Sequence, residues 1–228
     1  MMGPDPGQVV VWWMAIDEVA TRPRWMAVLD AEERAKAARF RFDADRRQYV
    51  AGHALVRMML ASFRGVAAAD LRFDRDRLGR PELDDGRGLR FSLSHTRRLV
   101  ACAVAAGDAV GLDVEADDPA RPVDDLARSF FTPAEADLVA VGGGDAFLRL
   151  WTLKEAFVKA TGEGLARPLD SFAFSLDPIR VDDHSGAADG WGFAQIRPRP
   201  DHVLSVALRR AEAAGIRLDA TEIQSDDL

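Results

Sequence analysis

A single cysteine, Cys102, stands among the 228 residues, so no disulfide can form within the chain. It lies in the apolar run from Leu99 to Val104, where a small core residue is expected. Positive charge is scarce. Thirty Lys and Arg against 37 Asp and Glu leave a formal net charge of -7, which excludes broad nucleic-acid binding, since that needs a basic footprint. No apolar run approaches a membrane span, and the stretch from Val9 to Ile16 is long enough only for a strand buried on both faces. Residues 1–7 lack the basic start of a secretory signal, so the cytoplasm is the expected location. A Walker-type phosphate loop is missing too, because Gly142-Gly143-Gly144 lacks the lysine that motif needs.

What is present is ordinary for a globular protein: 48% hydrophobic and 29% charged residues, enough for one large domain or two small halves. Asp30 is a candidate N-cap with Glu33 completing a capping box. A second helix is expected from about Asp45 to Phe63, closed by Gly65. Three apolar runs follow, Arg90 to His95, Leu99 to Ala105 and Val110 to Glu115. The short turns between them predict an antiparallel meander.

After a polar connector over 116–122 the order repeats. Helices are expected near Asp124 to Ser129 and from Pro133 to Val141, the latter capped by Thr132. The three glycines break the chain, and a strong helix runs from Asp145 to about Thr161. Strands follow at Ser171 to Leu176, Gly192 to Arg197 and Val203 to Arg209. Helices then three strands, twice, predict an α/β (α+β) fold of two similar halves, residues 1–112 and 113–228, each packing helices on a mainly antiparallel three-stranded meander. Residues 212–228 read as a frayed tail.

The strand Val110 to Glu115 puts Leu112 and Val114 on one face, Asp113 and Glu115 on the other. Same-face neighbours lie about 7 Å apart, so the two charges repel by roughly 2 kcal/mol at an effective dielectric of 20. A hard cation would offset that, and Mg²⁺ favours one or two carboxylates together with substrate phosphates. A solvated acidic strand face is the plain alternative. The helix around Trp151 adds to the case. Phe147, Leu150, Trp151, Leu153, Phe157 and Val158 form one apolar arc with Lys154 near its middle. A buried ammonium should meet an anion, unless the side chain snorkels to water. Glu155 sits at the margin of the arc with Lys159 four residues on, as a metal carboxylate beside a phosphate-binding lysine or as a common surface pair.

Arg80 is held between Gly79 and Pro81, and His95 follows Ser94 at a strand end. Arg34, Lys36, Arg39, Arg41, Arg46 and Arg47 gather positive charge in an otherwise acidic chain, as a solvated face or as a seat for phosphate oxygens. Together these residues describe a phosphorylated small molecule held through a metal, the parts that phosphoryl-type transfer requires.

Five blocks in order resemble the 4′-phosphopantetheinyl transferase superfamily: Gly79-Arg80-Pro81, Phe91 to His95, Gly111 to Glu115, Phe130 to Glu135, and Trp151 to Lys159 with Gly162 and Gly164-Leu165. More narrowly the chain is similar to its larger, single-chain, surfactin-synthetase-activating branch, from about Glu32 to Leu176. The resemblance implies a pseudo-twofold fold with the active site at the junction of the halves. It implies coenzyme A as donor, a serine of an acyl or peptidyl carrier protein as acceptor, and Mg²⁺, or Mn²⁺ in its place, as cofactor. Asp113, Glu115 and Glu155 would hold the metal. Lys154 and Lys159 would contact the pyrophosphate, and Arg80, Ser94 and His95, supported by Lys36 and Arg47, the nucleotide's 3′-phosphate. Glu155 would act as base and Lys159 on the leaving phosphate, with Glu135 auxiliary.

In two places the sequence departs from relatives: Arg80 stands where several carry lysine, and Glu33 where some carry a basic residue. The acceptor surface is expected around residues 116–140. Two halves in one chain let a monomer carry a complete site; no nucleic acid or membrane is an expected partner. A metal-dependent nucleotide phosphohydrolase and a non-catalytic carrier-binding module are the competing readings.

Overall fold

The structure, a computed structural model, describes residues 3–16, 21–75, 79–83, 88–183, 190–210 and 216–227. Its elements in order are β1 (Gln8–Ala15), α1 (Pro23–Val28), α2 (Ala31–Ala37), α3 (Asp43–Arg64), β2 (Phe73–Arg75), β3 (Pro81–Leu83), β4 (Leu89–Thr96) and β5 (Leu99–Ala106). They continue with β6 (Val110–Ala116), α4 (Val123–Phe130), α5 (Pro133–Thr161), β7 (Ala173–Leu176), β8 (Ile179–Asp182), β9 (Trp191–Ile196), β10 (His202–Arg209) and β11 (Arg217–Glu222). The chain folds as two compact units, residues 1–108 with 217–228, and residues 109–216. The division falls after Asp108 rather than after Leu112, and the C-terminal segment returns to the first unit.

In the first unit α3 packs on a four-stranded sheet ordered β11-β1-β5-β4. The predicted caps are in place. Asp30 and Glu33 form a reciprocal capping box at α2, and Gly65 closes α3 in the left-handed region at φ 66°. Arg57 on α3 is buried among apolar neighbours, yet each of its guanidinium nitrogens is bonded. Its Nε donates to Glu33 at 2.7 Å, Nη2 to Asp30 at 2.6 Å, and Nη1 to the carbonyls of Ala68 and Leu71. Glu33 therefore joins α2 to α3. Cys102 is buried in the same core, which pushes its thiol pKa up by desolvation.

Two expectations change here. The meander does not continue from β5 into β6, because a strand has only two edges. Those of β5 are taken by β4 and by β1, with Trp12 opposite Cys102. The segment read as a frayed tail contains a strand. β11 pairs parallel to β1, with Leu218 opposite Val9, and so covers a sheet edge that would otherwise invite pairing. No residue of β1 is exposed, in keeping with a strand covered on both faces.

In the second unit α5 packs on an antiparallel sheet ordered β6-β10-β9, and β7 pairs with β8 as a separate hairpin. Thr132 and Glu135 form a capping box at the start of α5, with Pro133 at its first position. As expected, the glycines divide the α5 span into two helices: Gly143 has φ 61° and ψ -147°, outside helical values. Among the described residues no helix is long and apolar enough to cross a membrane.

Candidate active site

Gly111, Asp113 and Glu115 alternate along β6 towards one face, and α5 lies against it. The approach is closest at Gly111. A Cβ there would sit 1.9 Å from the Ala156 carbonyl oxygen and 2.6 Å from the Ala160 nitrogen, so only glycine admits the helix backbone. Ala156 and Ala160 are one turn apart on α5 and both buried. This contact seats Lys159 over the end of the strand, where its Nζ donates to Asp113 Oδ1 at 2.7 Å and to the Leu112 carbonyl at 3.2 Å.

Glu155 shares this neighbourhood. Its carboxyl pKa is raised, first by burial, then by the charges of Asp113 and Glu115, with Lys159 opposing. Glu115 Oε2 in turn accepts from Arg121 Nη2 at 3.1 Å. The three predicted metal carboxylates and Lys159 are thus one electrostatic group. They do not form a ready-made cage. Among the described residues, no set of three His, Cys, Asp or Glu side chains is arranged to hold a metal ion. Lys159 and Arg121 instead sit on Asp113 and Glu115. The donor set still fits a hard dication. All three groups are carboxylate oxygens, and Asp113 and Glu115 add to the burial that raises the Glu155 pKa.

Lys154 meets an anion, but one from the protein. Its side chain is 0% exposed and makes an ion pair of 2.8 Å with Glu135. Its Nζ also donates to the carbonyls of Leu169 at 2.7 Å and Phe172 at 2.6 Å, so three acceptors meet the three donors of the ammonium. The charge lies 4.5 Å from the Phe172 ring centroid. Burial lowers the Lys154 pKa, and Glu135 opposes that shift. Glu135 is just as enclosed. Its Oε1 accepts from the Phe174 N–H at 2.8 Å, and Oε2 from the Thr132 N–H at 3.0 Å and the Thr132 hydroxyl at 2.8 Å. The structure therefore places a buried carboxylate on Lys154, where a phosphate contact was expected, and encloses Glu135 as its partner. Removing one partner alone would strand a buried charge, at a cost of about 3–5 kcal/mol.

The remaining predicted residues belong to the first unit. Lys36 is exposed on α2 with its ammonium 5.2 Å from the Tyr49 ring centroid on α3. Arg47 is half-buried in the N-terminal part of α3. Its neighbour Gln48 donates to the Thr96 carbonyl at 2.6 Å, tying α3 to the end of β4 that carries Ser94 and His95. Those two are consecutive strand residues and so project to opposite faces, Ser94 buried and His95 exposed. Arg80 Nη2 donates to the Phe91 carbonyl of β4 at 3.1 Å. Arg77 and Leu78, in the loop before it, lie outside the described residues.

Arg121 was missed by sequence reasoning. It sits in a stretch read as a mere connector, and the one available signal was its position six residues beyond Glu115.

Residues 109–213 match the family model of the 4′-phosphopantetheinyl transferase superfamily, and residues 17–107 a model described as 4′-phosphopantetheinyl transferase, N-terminal. The chain is 32% identical over 209 residues to the 4′-phosphopantetheinyl transferase HetI of a Nostoc species, covering 88% of this chain and 87% of that protein. It is 34% identical over 157 residues to the 4′-phosphopantetheinyl transferase Sfp of Bacillus subtilis, covering 67% and 69%. A phosphopantetheinyl transferase of a Thraustochytrium species is 32% identical over 237 residues, covering 92% and 82%. The chain belongs to the 4′-phosphopantetheinyl transferase superfamily.

Proposed function

We propose that this protein transfers 4′-phosphopantetheine from coenzyme A to a serine hydroxyl of an acyl or peptidyl carrier protein, with Mg²⁺ as cofactor, releasing adenosine 3′,5′-bisphosphate. The observation that carries the reading is the group formed by Asp113, Glu115, Glu155 and Lys159, in which three carboxylates and a lysine share one place on β6 and α5.

Asp113, Glu115 and Glu155 would hold the Mg²⁺ ion, which when bound would offset negative charge on the pyrophosphate. The serine oxygen forms a bond to the phosphorus that bears pantetheine. The bond from that phosphorus to the bridging oxygen of the pyrophosphate breaks, and the electron pair leaves with the nucleotide. Glu155, directly or through a water, takes the serine proton. Lys159 places a positive charge by the leaving phosphate. The 2.7 Å contact of Lys159 with Asp113 holds it at the acidic strand.

Arg80, Ser94, His95, Lys36 and Arg47 contact the nucleotide's 3′-phosphate end. What supports this is their gathering around β4 and the start of α3 in the first unit. The carrier protein docks on the second unit around 116–140, where Phe130 and Leu138, with Val141 beside them, expose apolar side chains.

The reading is tested by chromatography of coenzyme A incubated with the protein and Mg²⁺, with and without an apo carrier protein. Release of adenosine 3′,5′-bisphosphate only when the carrier is present is the expected result. Release without a carrier would indicate a phosphohydrolase instead.

A further inference from the structure

Resting on that reading of Glu155 and Lys159, we propose that the buried Glu135–Lys154 pair is a positioning device: it sets the bend of α5 at Gly143 and the rotation of the segment beyond it, so that Glu155 and Lys159 face Asp113. Neither residue touches substrate.

Gly143 divides α5, and its φ of 61° and ψ of -147° interrupt the helical path. Helical hydrogen bonding therefore does not fix how the segment after the kink is turned against the segment before it. Glu135 lies on the first segment and Lys154 on the second, and their 2.8 Å ion pair ties one to the other. Each end is anchored further. Glu135 holds the Phe174 N–H on β7 and both donors of Thr132, while Lys154 holds the carbonyls of Leu169 and Phe172. These are directed bonds, so together they specify an orientation rather than a mere volume.

An apolar pair of similar size would fill the same space. Buried ion pairs are often no more stabilising than such a replacement, and their best-attested use is to select one register among several. Register matters here because Glu155 is the residue next to Lys154. Side-chain ends lie about 5–6 Å from a helix axis, so a 20° rotation would displace the Glu155 carboxylate by about 2 Å. Shifts of about 1 Å at a reacting centre can already lower a rate by about 100-fold. The same rotation would lift Lys159 from Asp113.

The test is the double variant Glu135→Leu/Lys154→Met, which removes both charges and keeps the volume. Four readouts are taken against the wild type: thermal midpoint, kcat, KM for coenzyme A, and Mn²⁺ affinity by electron paramagnetic resonance. The double variant is expected to fold with a lowered thermal midpoint, because the Phe174 N–H and the Leu169 and Phe172 carbonyls lose their partners. Its kcat falls about 30- to 300-fold, KM for coenzyme A stays within threefold, and Mn²⁺ affinity drops at least fivefold. A folded double variant with wild-type kcat and Mn²⁺ affinity overturns the proposal and leaves the pair as packing. A tenfold rise in KM with kcat intact also overturns it, by making Lys154 a phosphate contact.

Should the double variant fail to fold, Glu135→Asp keeps the buried charge and loosens the tie by shortening the side chain. It is expected to lower kcat about 5- to 30-fold at unchanged KM, and an unchanged kcat counts against the pair. A crystal structure of whichever variant folds separates this inference from the functional reading. Rotation of the segment beyond Gly143 against β6 supports positioning even if the wild type transfers nothing, and an unshifted segment refutes it.

Discussion

Gly111 of β6 and Ala156 of α5 meet backbone to backbone, so closely that a Cβ on the glycine would come within 1.9 Å of the alanine carbonyl oxygen. Two residues further along the same face stands Asp113, paired at 2.7 Å with Lys159 of the helix. The close approach is therefore what brings the acidic strand and the lysine-bearing helix into register.

Gly111→Ala should force β6 and α5 apart, because the obstructing atoms are backbone and cannot rotate away. We expect a loss of about 1–3 kcal/mol in urea unfolding and at least about a 100-fold loss of transfer. A folded variant with unchanged transfer would show that the strand–helix contact does not set the site.

Glu155 carries a pH signature. Its folded pKa lies above the ordinary carboxyl value of 4.5, so the folded state holds its proton more tightly than the unfolded chain does. Stability from this group is present below pH 4.5 and is lost as pH rises through the folded pKa. In chelator, Glu155→Gln should therefore melt above wild type at pH 7.5, and the gap should close as pH falls towards 4.5. A gap that widens on acidification would reverse the sign and contradict the crowding of carboxylates.

Lys159→Ala should slow turnover by about 10²- to 10³-fold, the range seen when a charge-stabilising donor is removed, while calorimetric binding of coenzyme A changes far less. An effect confined to binding would take away its role on the leaving phosphate.

Leu138 is 47% exposed and Val141 92% exposed on the first segment of α5. Leu138→Glu/Val141→Glu should raise KM for the carrier protein about tenfold or more by desolvating charge in an apolar contact, leaving KM for coenzyme A as it was. Equal carrier kinetics would move the docking surface elsewhere.

Much of this was legible before any coordinates. Helix starts at Asp30 and Thr132 carry their caps in the local sequence, and the alternation around Asp113 and Glu115 names their shared face. That Lys154 needs an anion follows from its place in an apolar arc, but which anion does not. Glu135 reaches it only because the chain breaks at Gly143, and the pair joins two helices on either side of that break. The fate of β6 was hidden for a different reason. Gly107-Asp108 suits a hairpin turn, and nothing local reveals that β1 already occupies the free edge of β5. β11 escaped notice because Arg217–Glu222 is largely exposed and polar, and its pairing comes from β1 rather than from its own side chains. Ser94 and His95 read as one motif, yet strand geometry sends them to opposite faces.

The central claim is tested most directly by intact-mass analysis of an apo carrier protein incubated with coenzyme A and Mg²⁺, using wild type, wild type with chelator, and Glu155→Ala. The account predicts a gain of about 340 Da, the mass of a phosphopantetheine arm, with wild type alone, while the folded Glu155→Ala protein and the chelated reaction leave the carrier unmodified. Near-normal modification by folded Glu155→Ala, or full modification in chelator, would contradict the assignment of Asp113, Glu115 and Glu155 as the metal-holding group.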